Sequence, residues 1–175
     1  MPTILLAFWL TALSACALCA AEDAYPSRPI KLIVPQAAGS ATDNVARVLA
    51  LELTKELGQT VFVENRPGGA FVIGNDAVAK SAPDGYTLGI GNIGGMAIAP
   101  NMTPRLPYDI LRDFQPICLG TVGHLMFVAS PKLEVSSVAD VIALAKANPG
   151  KLTNASSASG SPGHVGGELF KFMSG

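Results

Sequence analysis

Ile30-Lys31-Leu32-Ile33-Val34-Pro35-Gln36-Ala37-Ala38-Gly39-Ser40-Ala41-Thr42-Asp43 decides how this chain is read. Its first residues form a short, β-branched-rich apolar run of the kind buried in a parallel sheet. Pro35 has no N–H to give to a ladder, so the strand stops there. Ala37, Ala38 and Gly39 carry almost no side chain, which leaves their backbone N–H groups open to close approach. Ser40 followed by Asp43 has the form of a capping box, with Asp where Glu or Gln is usual, and marks a helix start. Free N–H groups and the positive end of a helix together attract an anion. An ordinary tight strand-to-helix turn has the same local pattern. What favours the anion is a second loop of the same design, Ser156-Ser157-Ala158-Ser159-Gly160-Ser161-Pro162-Gly163-His164, near the other end of the chain.

Outward from the first loop, Val45 to Leu57 is an amphipathic helix ended by Gly58. Val61-Phe62-Val63 is a second strand, Asn65 to Gly69 a loop, and Ile73 to Lys80 a helix stopped by the turn Pro83-Asp84-Gly85. Tyr86 to Ile90 is a third strand, leading into Gly91-Asn92-Ile93-Gly94-Gly95. The order β-α-β-α-β is that of a parallel, doubly wound α/β sheet. Ligands of such sheets lie beyond the carboxyl ends of the strands, where Pro35–Ser40 and Gly91–Gly95 both fall. After an irregular stretch from Asn101 to Arg112, Phe114–Val122 and Leu125–Ala129 read as two extended segments crossing to a second lobe. Val138 to Ala147 is a helix and Leu152 to Ala155 a weak strand. Ser161 as N-cap with Pro162 at the first helical position then starts a last helix, with Val165, Leu169, Phe172 and Met173 at helical spacing.

At 175 residues there is room for one ordinary domain or two small lobes. A formal net charge of −1 gives no electrostatic case for nucleic acid. Residues 1–21 contain no charged side chain and end in small residues, which fits a signal peptide cut before Glu22, although no Lys or Arg precedes the apolar run. Export to the periplasm is therefore expected. Leu13-Ser14-Ala15-Cys16 has the form of a lipobox, so lipidation at Cys16 is the alternative to plain cleavage. Cys118 would then be the one thiol left, expected to be buried and inert within Ile117-Cys118-Leu119, and no internal disulfide can form.

Several sharper chemistries are present only in outline. His164 and Glu168 stand at metal-ligand spacing, but the only other histidine, His124, lies in an expected turn, so no metal site is expected. The serines from Ser156 to Ser161 lack the flanking glycines of a nucleophile elbow. Asn65-Arg66-Pro67-Gly68-Gly69 lacks the Lys-Ser/Thr ending of a phosphate loop. Gly89-Ile90-Gly91-Asn92-Ile93-Gly94 matches a glycine fingerprint, which makes a nucleotide-binding α/β enzyme the alternative reading. Its first glycine falls inside the strand, however, and no acidic residue ends a next strand about twenty residues on. No catalytic residue and no cofactor are expected.

Taken together, Tyr25-Pro26-Ser27-Arg28-Pro29-Ile30, Pro35 to Asp43, Glu64-Asn65-Arg66-Pro67-Gly68, Pro83-Asp84-Gly85-Tyr86-Thr87-Leu88 and Ser156 to Glu168 resemble the Bug-type solute-binding proteins. These are the extracytoplasmic receptors of tripartite tricarboxylate transporters. The resemblance covers almost everything after the signal. It implies a type II periplasmic-binding-protein-like fold, two α/β lobes with parallel-rich sheets closing over one small ligand. It also implies a monomeric receptor rather than an enzyme, holding a di- or tricarboxylate or similar organic anion mainly through backbone N–H groups and bridging water. Membrane transporter subunits or a sensor protein would be its partners. Carried over by position, the first lobe's contacts are Gln36, Ala37, Ala38, Gly39 and Ser40, with Asp43 shaping the loop. The second lobe's are Ser156, Ser157, Ala158, Ser159, Gly160 and Ser161 with His164. Gly91 and Asn92 join them at the end of the third strand.

The chain departs from the family pattern at three positions. Gln36 replaces a usual aromatic and could shift ligand preference, while Ser40 and Ala158 stand where glycine is usual. The expected division is a signal at 1–21, lobe one at 22–121 and a partial lobe two at 122–175. The family has a comparably long further stretch that finishes the second lobe, so the 175-residue chain is expected to be a truncated, weak receptor with an incomplete second lobe.

Overall fold

The computed structural model describes residues 24–175, so the expected signal peptide and Cys16 lie outside the described residues. Three parallel strands, β1 (Ile30–Val34), β2 (Val61–Asn65) and β3 (Thr87–Gly89), form a sheet in the order β2-β1-β3. Ile30 lies opposite Val61 and Val34 opposite Asn65, while Lys31 and Ile33 face Thr87 and Gly89 across the other edge of β1. The central position explains the apolar run: Ile30, Leu32, Ile33 and Val34 are all buried, with at most 2% of their surface exposed. Lys31 is the polar exception, and its Nζ pairs with Glu64 on β2 at 3.0 Å.

Helix α1 (Ala41–Leu57) joins β1 to β2, and α2 (Val72–Ala79) joins β2 to β3. The chain steps from β1 to β2 on one side and then back over β1 to β3 on the other. Right-handed crossovers then put the two helices on opposite faces of the sheet. Ala46, Ala50 and Leu53 of α1 pack on Ile30, Leu32 and Val34. Against the other face α2 lies very close: a Cβ on Gly74 would be 2.6 Å from Pro35 Cα, and one on Gly89 would be 2.8 Å from Val78 Cγ2.

Several boundaries differ from the sequence expectation. Helix α1 begins directly after Ser40, as its capping pattern marks, so the amphipathic stretch from Val45 is the body of the helix and not its start; it ends as expected at Gly58, in the left-handed conformation at φ 65°. Strand β2 runs on past Val63 to Asn65, because the Arg66 N–H still bonds to Val34 O at 2.8 Å. Beyond β3 the expected glycine loop is partly wound: Gly94–Ile98 form a π-helical turn that continues into the short helix α3 (Ala99–Met102). Gly94 and Gly95 allow it to nestle against α2, since a Cβ on either would run into Phe71 or Asn75. Tyr108 ties the following irregular stretch down, donating its hydroxyl to Gly95 O at 3.2 Å and accepting from Asn75 Nδ2 at 3.4 Å.

The later part of the chain differs more. Phe114–Val122, Leu125–Ala129 and Leu152–Ala155 take part in no ladder among the described residues. An apolar run becomes a buried strand only where a neighbour supplies the other half of the hydrogen bonds. Cys118, expected to be buried, is accordingly exposed, and so are Ile117 and Leu119. The two expected helices are present as α4 (Val138–Ala147), capped by Ser137, and α5 (Pro162–Ser174), capped by Ser161. Phe127 packs on Phe170 with ring centroids 5.0 Å apart, which fastens Leu125–Ala129 to α5.

Candidate functional site

The loop between β1 and α1 is fixed by four hydrogen bonds. Ser40 N–H bonds to Ala37 O at 3.2 Å, Asn44 N–H to Ser40 O at 3.0 Å, and Asp43 N–H to Ser40 Oγ at 3.2 Å. The fourth departs from a standard capping box, because the Asp43 carboxylate reaches back to Gly39 N–H at 2.8 Å and not to the cap residue itself. Gly39 makes this possible by adopting φ 82°. Asp43 is itself buried and held from the far side by two residues that sequence reasoning did not assign to the site. Arg47 Nε donates to Oδ2 at 2.9 Å, and Asn65 Nδ2 donates to Oδ1 at 2.8 Å and to Gln36 O at 3.1 Å. The Arg47 bond first, then the Gly39 and Asn65 bonds, hold the Asp43 carboxyl down at a pKa of about 2. Its charge is thus consumed in shaping the loop. The N–H groups of Ala37, Ala38, Ala41 and Thr42 bond to no described residue, and they sit where the helix dipole is positive.

The loop before α5 repeats this construction residue for residue. Ser161 N–H bonds to Ala158 O at 3.1 Å, Val165 N–H to Ser161 O at 3.0 Å, and His164 N–H to Ser161 Oγ at 3.2 Å. Gly160, at φ 73°, takes the place of Gly39, and its N–H donates to His164 Nδ1 at 3.3 Å. A histidine therefore does here what a carboxylate does in the first loop. Because Nδ1 accepts, the neutral ring carries its proton on Nε2. The N–H groups of Ala158 and Ser159 correspond to those of Ala37 and Ala38, and they likewise bond to no described residue.

The strand order places these parts. The chain leaves β1 toward β2 on one side and then crosses back over β1 to β3 on the other, and the crevice at such a reversal lies beyond the carboxyl ends of the strands. Gln36 to Ser40 leave β1 there, and Gly91 and Asn92 leave the adjacent β3. Asn92 Oδ1 accepts from Gly95 N–H at 2.8 Å, while its Nδ2 is buried without a partner among the described residues. The second loop meets the turn that follows β2 through Gly160, where a Cβ would lie 3.8 Å from both Ala70 Cβ and Met102 Sδ. Ser156, Ser157 and Ser159 are exposed beside it, whereas Ser161 is buried.

Two hollows lie elsewhere. One of about 300 Å³, lined by Arg28, Lys31, Asp84 and Tyr86, is at the amino ends of the strands. Its charges are already paired, Arg28 with Asp84 at 2.8 Å and Lys31 with Glu64 at 3.0 Å. The other, about 960 Å³, is open and lies between Met96 and Asp113. Neither contains the unpaired N–H groups that distinguish the two loops. Among the described residues no group of three His, Cys, Asp or Glu side chains is placed to hold a metal ion.

Of the missed residues, Arg47 was within reach of the sequence, because it stands one helical turn after Asp43. Asn65 was not, since its role depends on the parallel register that sets it beside Val34.

Comparison with known proteins identifies the family. The profile of the TctC family, "Tripartite tricarboxylate transporter family receptor", matches residues 45–175. Protein BugT of Bordetella pertussis is 44% identical over 154 residues, covering 87% of this chain and 47% of BugT. A solved periplasmic transporter superposes with a TM-score of 0.75 at 37% identity, over 86% of this chain and 51% of that one. The R. palustris protein Rpa4515, solved with adipate, gives a TM-score of 0.73 at 36% identity, over 86% and 50% of the two chains. The chain thus spans about half the length of the curated relatives it matches. Its parallel α/β architecture is that of periplasmic binding proteins over half their length, and the family consists of solute-binding receptors rather than enzymes. With a profile match across most of its length and the same fold as solved members, this chain belongs to the tripartite tricarboxylate transporter receptor (TctC/Bug) family.

Proposed function

We propose that the chain captures a small organic anion, a di- or tricarboxylate, in the periplasm and presents it to tripartite transporter subunits or to a sensor. The fold is read as type II periplasmic-binding-protein-like, with residues 22–121 contributing one lobe and 122–175 part of the second. Gln36 to Ser40, shaped by Asp43, hold one side of the ligand, with Gly91 and Asn92 beside them. Ser156 to Ser161, shaped by His164, hold the other.

The observation that carries this reading is the duplicated loop. Two loops of one hydrogen-bond design each leave a pair of adjacent N–H groups without a partner among the described residues, before a helix N-terminus. Such donors bind a carboxylate without a buried cationic side chain, and a dianion suits two of them. The adipate bound by Rpa4515 is a ligand of this kind.

The test is isothermal titration with adipate, succinate and citrate, and with NAD as control. It is run on this chain and on the chain joined to the remaining half of BugT. Binding of at least one acid and not of NAD is expected. Gly39→Val, which puts a β-branched side chain at φ 82°, should weaken it about tenfold or more by straining the loop and obstructing its N–H groups. No response to any acid in either protein would end the carboxylate reading.

A further inference from the structure

We propose that Ala70 is the stop against which the second loop closes, so that it sets the width of the ligand cleft. The inference rests on the two-loop receptor reading and adds to it a residue that neither loop contains. It starts from a run of left-handed backbone. Gly68, Gly69, Ala70 and Phe71 have φ of 118°, 56°, 51° and 77° in succession. Glycine adopts such angles freely, but alanine and phenylalanine do so only under constraint.

The constraint is visible. Phe71 is buried, its ring occupies the space that a side chain on Gly94 would need, and its Cβ is 3.0 Å from where a Cβ on Gly95 would stand. The Val72 N–H closes the turn onto Gly69 O. With Phe71 held in this way, the Ala70 methyl has a fixed direction, and it faces Gly160. A Cβ there would lie 3.8 Å from Ala70 Cβ, with Met102 Sδ at the same distance. Gly160 is also the residue whose N–H is bonded to His164, so the stop acts on the backbone that aims the second loop's free N–H groups. Strained residues that persist at a clamp do so where the surroundings over-determine them. A glycine at position 70 would relieve the strain and remove the stop together.

The contact itself is tested by Ala70→Cys/Gly160→Cys in the full chain, with Cys16, Cys19 and Cys118 changed to Ser. The Cβ spacing is that of an ordinary disulfide, about 3.8 Å. Mild oxidation should therefore give a cross-linked monomer, and failure to cross-link in a folded protein would overturn the stop. Ala70→Gly supplies the second measurement and does not depend on Gly160→Cys folding. It should raise the melting temperature and speed amide exchange at Gly160 and His164. It should also change the ratio of adipate to succinate affinity by about threefold or more. Unchanged exchange together with an unchanged ratio would refute the proposal even if the cross-link forms. If no acid binds the unaltered protein, it is the carboxylate reading that fails, and cross-linking and exchange still decide the fate of the stop.

Discussion

Gly74→Ala sets two physical effects against each other. Gly74 lies inside α2, where replacing glycine by alanine normally stabilises a helix by about 1 kcal/mol. Here the added methyl would stand 2.6 Å from Pro35 Cα, 2.6 Å from Pro35 Cβ and 2.9 Å from Arg66 O. None of these atoms ends a flexible side chain, so α2 itself must shift. Overpacking of this kind costs about 1–3 kcal/mol, and the rigid neighbours argue for the upper end. The net expectation is a loss of about 2 kcal/mol, or about 4–8 °C in melting temperature. Because Pro35 begins the loop proposed to hold the ligand, carboxylate affinity should fall as well. Gly166→Ala, in the middle of α5 with nothing within 4 Å, is the control and should gain stability by about 1 kcal/mol. Urea unfolding of the three proteins gives both differences. A stabilised Gly74→Ala would refute the close packing of α2 on the end of β1.

The remaining predictions concern the loops. Asp43 titrates at about 2 when folded against an ordinary 3.8, so its contribution to stability is complete above 3.8 and is lost as pH falls toward 2. Acid melts should show this decline, and Asp43→Asn should flatten it while lowering stability at neutral pH. Ser40→Ala and Ser161→Ala each remove an N-cap and should cost about 0.5–2 kcal/mol in thermal or urea unfolding. Asn65→Ala frees both Asp43 Oδ1 and Gln36 O, and should loosen the first loop enough to raise amide exchange at Gly39. Exchange that stays as slow as in the unaltered chain would show that Asn65 is not needed to hold Asp43 in place.

What the sequence determined by itself was local. Apolar alternation, caps and glycine stops placed β1, β2, α1, α2, α4 and α5 to within a few residues, because each signal acts between neighbours along the chain. Both loops were legible for the same reason, since Ser40 with Asp43 and Ser161 with Pro162 are helix-start signals read from spacing alone. Tertiary structure decided what depends on contacts between distant segments. Only the parallel register brings Asn65 to Asp43, and only the packing of α2 turns Gly91–Gly95 from a plain loop into a loop running on into a π-helical turn. The left-handed Ala70 and Phe71 have no signature in sequence, because nothing local favours that conformation and Phe71 is fixed by what lies over Gly94. The apolar runs at Phe114–Val122 and Leu125–Ala129 make the same point from the other side. Their composition promises strands, but a strand is a pairing, and a pairing belongs to two segments rather than to one.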